Sequence, residues 1–261
     1  MKGPQMDLQL TGKRALVTGS TSGLGEEIAR TLAAEGATVV VHGRDRGRAD
    51  AVAKEIGGAV AIGDLATDEG ADAVARVAGE IDILVNNMGI FDPTLTWDDL
   101  SADAWNEIYN INVVASVRMI QRFVPAMRKR GWGRVIQISS ALSDYPMDTQ
   151  PHYAATNAAR NNLAASLSRE LKDSGVTSNA VAAGGILTPS AKERLVGVGR
   201  AAGLGETWEE MAETIVRRST TMIDLGRIGS PAEYADMVTF LASPRASYVT
   251  GATLRVDGGW H

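Results

Sequence analysis

Along this chain, short apolar runs alternate with longer segments whose apolar residues recur every three to four positions. The runs are "RALVTG" (14–19), "TVVVHG" (38–43), "AVAIGD" (59–64), "IDILVNN" (81–87), "RVIQISS" (134–140), "TSNAVAA" (177–183) and "ATLRVDG" (252–258). They are apolar on both faces, as strands covered on both sides must be. In "GLGEEIARTLAAEG" the residues Leu24, Ile28 and Leu32 share one helical face, and Gly36 stops the helix. "DRGRADAVAKEIGG", "DEGADAVARVAGE" and the segments near 101–130, 153–173 and 231–242 read as further helices, with a kink expected at Pro125. Such alternation predicts an α/β fold. Seven parallel strands form a doubly wound sheet, joined by right-handed crossovers, with helices on both faces. No repeat, linker or low-complexity tract divides residues 1–261, so one domain is expected. Residues 189–229 are dotted with glycine and fit this pattern poorly. There "ETWEEMAETI" sets Trp208, Met211, Ala212 and Ile215 on one face. With the glycines at 197, 199, 203 and 205 as hinges, the segment 189–225 reads as a mobile lid over an apolar pocket.

Composition narrows the classes. Lys and Arg number 26 against 31 Asp and Glu, a net charge of −5, which offers nucleic acid no electrostatic footprint. No apolar run approaches the roughly 18 residues of a membrane span. The opening "MKGPQMDLQLTGK" lacks the apolar core of a signal peptide, so a cytoplasmic location is expected. The absence of cysteine excludes disulfides, thiolate catalysis and cysteine zinc sites. His42, His152 and His261 lie far apart, so no histidine metal centre is expected.

Two stretches carry candidate chemistry. "TGSTSGLG" (18–25) joins the first strand to the first helix. Gly19 permits a tight turn, and Gly23 and Gly25 permit close approach of backbone and helix to a ligand. The helix N-terminus then favours a pyrophosphate, so this turn reads as a dinucleotide site. "HYAATNAAR" (152–160) places Tyr153 at the start of an alanine-rich helix. An unperturbed tyrosine has a pKa of ~10, and a nearby cation lowers an acid's pKa by roughly 1–3 units. One turn on, where such a cation would sit, the chain has Asn157; the next cation on that face is Arg160, two turns and ~10 Å of rise away. At that distance Arg160 is expected on a helix-packing or subunit surface.

The glycine spacing G-x-x-x-G-x-G resembles that of the short-chain dehydrogenase/reductase family, a Rossmann-type fold, and the resemblance covers nearly the whole chain. "NNMG" (86–89) resembles the family's N-N-A-G, with Met88 for alanine. "GDL" (63–65) resembles its adenine-holding segment, "AAGGILT" (182–188) its P-G-x-x-x-T, with Ala183 for proline, and "RVDGG" (255–259) its C-terminal end. "ISS" followed by Tyr153 matches its serine–tyrosine pair, and Asn112 in "YNINVVAS" matches its catalytic asparagine.

The resemblance implies hydride transfer between a nicotinamide cofactor and a ketone or secondary alcohol. Ser140 would bond the substrate oxygen, Tyr153 would carry its proton, and Asn112 would hold a relay water. It implies cofactor contacts at Gly19, Ser22, Gly23, Leu24, Gly25, Asp64, Leu65, Asn87, Gly89, Tyr153, Gly184, Ile186 and Thr188. The family's lysine, which binds the nicotinamide ribose and lowers the tyrosine pKa, falls at Asn157, which has an amide and no charge. Two readings follow: an oxidoreductase impaired at Asn157, or a nucleotide-binding, catalytically weak homologue acting as a regulatory or partner subunit. Arg44, after the second strand, favours the 2′-phosphate of NADP(H); Ser22, where NADP-using relatives often carry a second cation, leaves NAD(H) as the alternative. The resemblance also implies a homodimer or homotetramer built on the 101–130 and 153–173 helices. The polar "ARNNL" (159–163) on that surface opens a hetero-oligomer. Tyr145 and Met147 are candidates for the substrate pocket, whereas Trp97, Trp105 and Trp260 read as core and His152 as structural. Lys192, Arg194, Arg200, Arg217 and Arg218, interleaved with glutamates, read as a solvated face.

Overall fold

The computed structural model describes residues 6–261; the first five residues of the N-terminal stretch read above lie outside them. Strand β1 (Arg14–Val17), helix α1 (Gly23–Ala34), β2 (Thr38–Gly43), α2 (Arg46–Ile56), β3 (Ala59–Ile62), α3 (Asp68–Ala78) and β4 (Ile83–Asn86) form the first half. The second half runs through α4 (Ala102–Tyr109), α5 (Ala115–Arg130), β5 (Gly133–Ser140), α6 (Pro151–Glu170) and β6 (Val176–Ala183). It ends with α7 (Pro189–Ala201), α8 (Trp208–Ser219), α9 (Pro231–Ala242) and β7 (Thr253–Val256). The sheet order is β3-β2-β1-β4-β5-β6-β7, and every pairing is parallel. The order reverses between β1 and β4, which opens the crevice where such sheets bind ligands.

Strand side chains alternate between two cores. Val39, Val85, Ile136 and Val181 pack under α1 and α9 with Ile28, Leu32, Val238 and Leu241. Val40, Leu84 and Val135 pack under α3, α5 and α6 with Val74, Met119, Phe123 and Leu171. Burying each such aliphatic side chain stabilises the fold by about 1.5–3 kcal/mol. Thr67 starts α3 by accepting from Gly70 N–H, and Gly57, in a left-handed conformation, ends α2.

The segment 101–130 departs from the single helix expected. A π-helical turn, Asn110–Val114, separates α4 from α5, while α5 runs through Pro125 to Arg130. The extra residue per turn lets α4 bury Ile108 and α5 bury Met119, Phe123 and Met127 while Asn112 turns inward. In 189–225, Met211 and Ile215 are buried as the periodicity predicts. Gly199, read as a hinge, lies inside α7. A Cβ there would come 2.3 Å from Met211 Sδ, so this glycine is the contact point of α7 with α8. Lys192 and Arg200 of that region pair with Glu209 and Glu206 at its surface. No helix among the described residues is long and apolar enough to cross a membrane.

Candidate active site

The glycine-rich turn is closed by backbone contact. Gly19 has φ +66°, and a Cβ on it would meet Met88 Cα at 3.0 Å; a Cβ on Gly25 would lie 2.3 Å from Gly19 O and 2.4 Å from Asn87 Nδ2. Only glycine lets α1 start this close. Asn87 Nδ2 donates to the carbonyls of Thr18 and Gly19, and the amides of Asn87 and Met88 donate to Thr18 Oγ1. These bonds lock the turn to the loop after β4. Ser22 caps α1 without a side-chain hydrogen bond, so the first amides of the helix are free for an anion. Thr188 approaches from the opposite wall, 3.6 Å from where a Gly23 Cβ would stand. Gly184 leans on Asp257, and Ile186 bridges to Gly229, which fixes the strand-to-helix connection. Glycines whose Cβ would fill the cradle, beside uncapped amides, fit a dinucleotide pyrophosphate.

His42 belongs to this turn. It is 1% exposed in β2; its Nδ1 accepts from Gly19 N–H (3.0 Å), and Nε2 bonds Gly63 O (3.1 Å). Burial pushes its pKa down to about 4, opposed by the Gly63 bond and Asp64 and assisted by Arg44. The ring is therefore neutral, and it ties the turn to the end of β3. A polar residue inside the apolar run "VVVHG" was the available signal. Asp64 is exposed, and one carboxylate oxygen accepts from Ala66 N–H. The Leu65 side chain is 1% exposed in the core and its carbonyl accepts from Arg118, which leaves its amide as the group open to a ligand. Arg44 is exposed and has no carboxylate partner among the described residues.

At the carboxyl ends of β4, β5 and β6 the remaining candidates gather. Ser140 ends β5 in register with Ala183, and its Oγ accepts from Leu142 N–H. Gln150, with φ 58°, and Pro151 turn the chain into α6, so Tyr153 lies in the first turn. The Tyr153 ring lies 5.5 Å from that of Phe91, an exposed residue the sequence did not single out. Asn112 is 1% exposed. Its amide clasps the backbone of Ile90, accepting from N–H (2.8 Å) and donating to O (2.9 Å), and meets Thr156 Oγ1 at 3.3 Å. Gly89 faces this clasp: a Cβ there would be 3.3 Å from Asn112 Oδ1. His152 packs edge-on against Trp105, which also contacts Trp97 and Tyr109. Trp97, read as core, is 66% exposed, a correction; Tyr145 and Met147 are exposed, with Arg255 over the Tyr145 ring.

Arg160, expected on a helix-packing or subunit surface, lies on the packing face of α6, 4% exposed beneath the site. Nε donates to Asn112 O (2.5 Å), Nη1 to Ile138 O (2.5 Å) and Nη2 to Met88 O. One guanidinium thus joins the π turn, β5 and the loop after β4. Asn157 is also buried, and its Nδ2 donates back to Tyr153 O (2.8 Å) within α6. Of the polar stretch 159–163, Asn161 reaches Ser143 in the same chain, and Asn162 is exposed. No cluster of three or more His, Cys, Asp or Glu among the described residues could hold a metal.

Comparison with known proteins agrees with this architecture. A family model described as Enoyl-(Acyl carrier protein) reductase matches residues 19–261. The chain is 36% identical to the uncharacterized oxidoreductase YvaG of Bacillus subtilis, over 97% of this chain and 98% of that one. It is 36% identical to the 3-oxoacyl-[acyl-carrier-protein] reductase FabG of Aquifex aeolicus, over 97% and 99%. The L-sorbose reductase of Gluconobacter frateurii, solved with NADPH and L-sorbose, superposes with a TM-score of 0.89 at 32% identity, covering 98% of both chains. With the parallel seven-stranded sheet and the glycine turn, these matches place the chain in the short-chain dehydrogenase/reductase family of oxidoreductases.

Proposed function

We propose that the chain is an NADP(H)-dependent oxidoreductase of a ketone or secondary alcohol, with carbonyl reduction the favoured direction near neutral pH. The observation that carries this reading is the convergence at one sheet edge. Ser140 and Tyr153 stand on β5 and α6, and Arg160 bonds β5, the Asn112 turn and the loop after β4 together. The uncapped amides of Gly23, Leu24 and Gly25 would hold the pyrophosphate beside Gly19 and Ser22. Asp64 and the Leu65 amide would face the adenine, and Asn87, Gly89, Gly184, Ile186 and Thr188 would flank the nicotinamide half. Arg44 supports NADP(H), since an unpartnered guanidinium at the end of β2 forks onto a phosphate; the NADPH in the L-sorbose reductase structure points the same way.

Bound NADPH supplies the hydride. Ser140 orients the substrate oxygen, and Tyr153 gives it a proton as charge develops there, the moment at which placed donors act most strongly. Residues 1–261 act as one domain, with α7 and α8 as the cover of the substrate side. The assembly proposed is a homodimer or homotetramer through the outer faces of α4, α5 and α6. The second reading, a subunit without turnover, rests on Asn157, which brings no charge to the family's lysine position. Steady-state turnover with NADPH and NADH against a panel of ketoses, 3-oxoacyl thioesters and simple ketones separates the two. Tyr153→Phe is expected to lower kcat by about 10²–10⁴-fold and leave NADPH binding in place. Absence of turnover with every pair, or a Tyr153→Phe variant as active as its parent, would reject the enzymatic reading.

A further inference from the structure

The Phe91 ring is 56% exposed at the mouth of the site. Among the described residues, the aromatic ring it meets is that of Tyr153, with centroids 5.5 Å apart and planes tilted by 39°. A single exposed apolar side chain is ordinary on a protein surface and carries no meaning alone. Two further observations set this one apart.

The first is how its backbone is held. Phe91 lies in "GIFDPTL", residues 89–95, between β4 and α4. Just before it, Ile90 is clasped at both N–H and O by the Asn112 amide, which also meets Thr156 of α6. Just after it, the Asp92 carboxylate accepts from the Thr94 N–H (2.9 Å) and hydroxyl (2.6 Å), and Pro93 fixes its own φ. Beyond that turn, Leu95 O accepts from the N–H of Gln150 (2.7 Å), the residue that leads into α6 with φ 58°. The segment is thus pinned to the surroundings of α6 on both sides of the ring. Its freedom is already lost on folding, so a ligand that settles on it meets a preorganised surface.

The second is what the ring leaves undone. Phe91 belongs to neither apolar core described above, so burial on folding does not account for a phenyl group here. A smaller residue would keep the clasp and the turn, which are made by backbone atoms and by other side chains.

We infer that Phe91 is a specificity-determining residue. Its ring is the platform for the substituent on the substrate carbonyl, and it selects ketones bearing an aryl or other flat apolar group over hydroxylated chains. The inference rests on the proposed reading of Tyr153 as the proton carrier. A carbonyl oxygen bonded to the Tyr153 hydroxyl stands about 3 Å from it, so the groups on the carbonyl carbon reach the ring beside Tyr153. A flat group there gains offset or edge contact with the phenyl. A polyhydroxylated chain would shed water onto a surface that offers it no hydrogen bond. Phe91 takes part in neither the hydride nor the proton transfer, so its effect falls on KM more than on kcat.

Acetophenone and 2-octanone have equal numbers of heavy atoms and differ in the flat group. With NADPH, the parent is expected to favour acetophenone in kcat/KM by about three- to tenfold and to turn over L-sorbose less well than either. Phe91→Leu keeps an apolar side chain and removes the ring face; it should abolish the preference and leave 2-octanone nearly unaffected. Phe91→Tyr, which keeps the ring, should retain the preference. A merely structural role would lower both ketones in step and leave their ratio where it was. Binding is read without turnover in the NADP⁺ complex, which cannot reduce a ketone: there acetophenone should bind the parent more tightly than Phe91→Leu by the same factor. A parent without preference for acetophenone over 2-octanone, a ratio unmoved in Phe91→Leu, or L-sorbose as the best substrate of the three would overturn the inference. If the parent shows no turnover with any ketone, the enzymatic reading fails, and the binding constants still decide the role of Phe91.

Discussion

On the β1–α1 side of the cleft the candidate binding groups are backbone amides, held close by glycines that nothing larger can replace. On the α6 side they are side chains, Ser140 and Tyr153, on segments beside which Arg160 donates to the carbonyls of Met88, Asn112 and Ile138. The first arrangement fixes function to sequence position: a Cβ at Gly25 would stand 2.3 Å from Gly19 O. The second fixes only where a donor must arrive, and a long side chain such as Arg160 reaches three segments from one position on α6. Spacing rules are therefore strict on one wall of this cleft and loose on the other.

The comparison can be broken first through His42, where the largest effect is expected. Its folded pKa of about 4 lies below the ordinary 6.5. Between those values the unfolded chain binds more protons, so stability rises with pH there and is lost as pH falls. The loss amounts to about 3 kcal/mol by pH 4 and is absent above the unfolded pKa. Denaturant titrations of His42→Gln should lack this part of the slope. An equal slope in parent and variant would show that the imidazole is not held neutral.

How much of this was legible differs between the walls in the same way. The seven strands, their parallel order and the glycine turn follow from apolar runs and from residues without a Cβ, whose constraints are local. The bonds of Arg160 were not legible, because α6 buries Thr156, Asn157 and Arg160 together with Ala154 and Ala164 and shows no apolar face from which to orient it. The π turn was missed for a related reason: one inserted residue leaves the helical composition of 101–130 unchanged. Gly199 looked like a hinge because a packing glycine and a flexible one are the same letter.

A second test sharpens the strict wall. Gly25→Ala should weaken folding by about 1–3 kcal/mol, as overpacking does, and reduce NADPH affinity. Denaturant unfolding and calorimetric NADPH binding, run on one preparation, check both halves. The smallest effect is expected from Arg44→Ala. It should cost NADPH about tenfold in Kd, some 1.4 kcal/mol, and NADH nothing. Equal losses for both cofactors would remove Arg44 from the 2′-phosphate.

The π turn bears on the two ends of the cleft at once. Asn110 Nδ2 holds Ala66 O, in the loop after β3, and Asn112 clasps Ile90, in the loop after β4. Two asparagines two residues apart thus anchor the loop after β3 and the loop after β4, the adenine end and the reacting end in the proposed reading. The distance between those ends is set by covalent geometry, like the jaws of a gauge, and not by two loops settling independently. An inserted or deleted residue within 110–114 would change the gauge length and put both loops out of step with the cofactor proposed to span them.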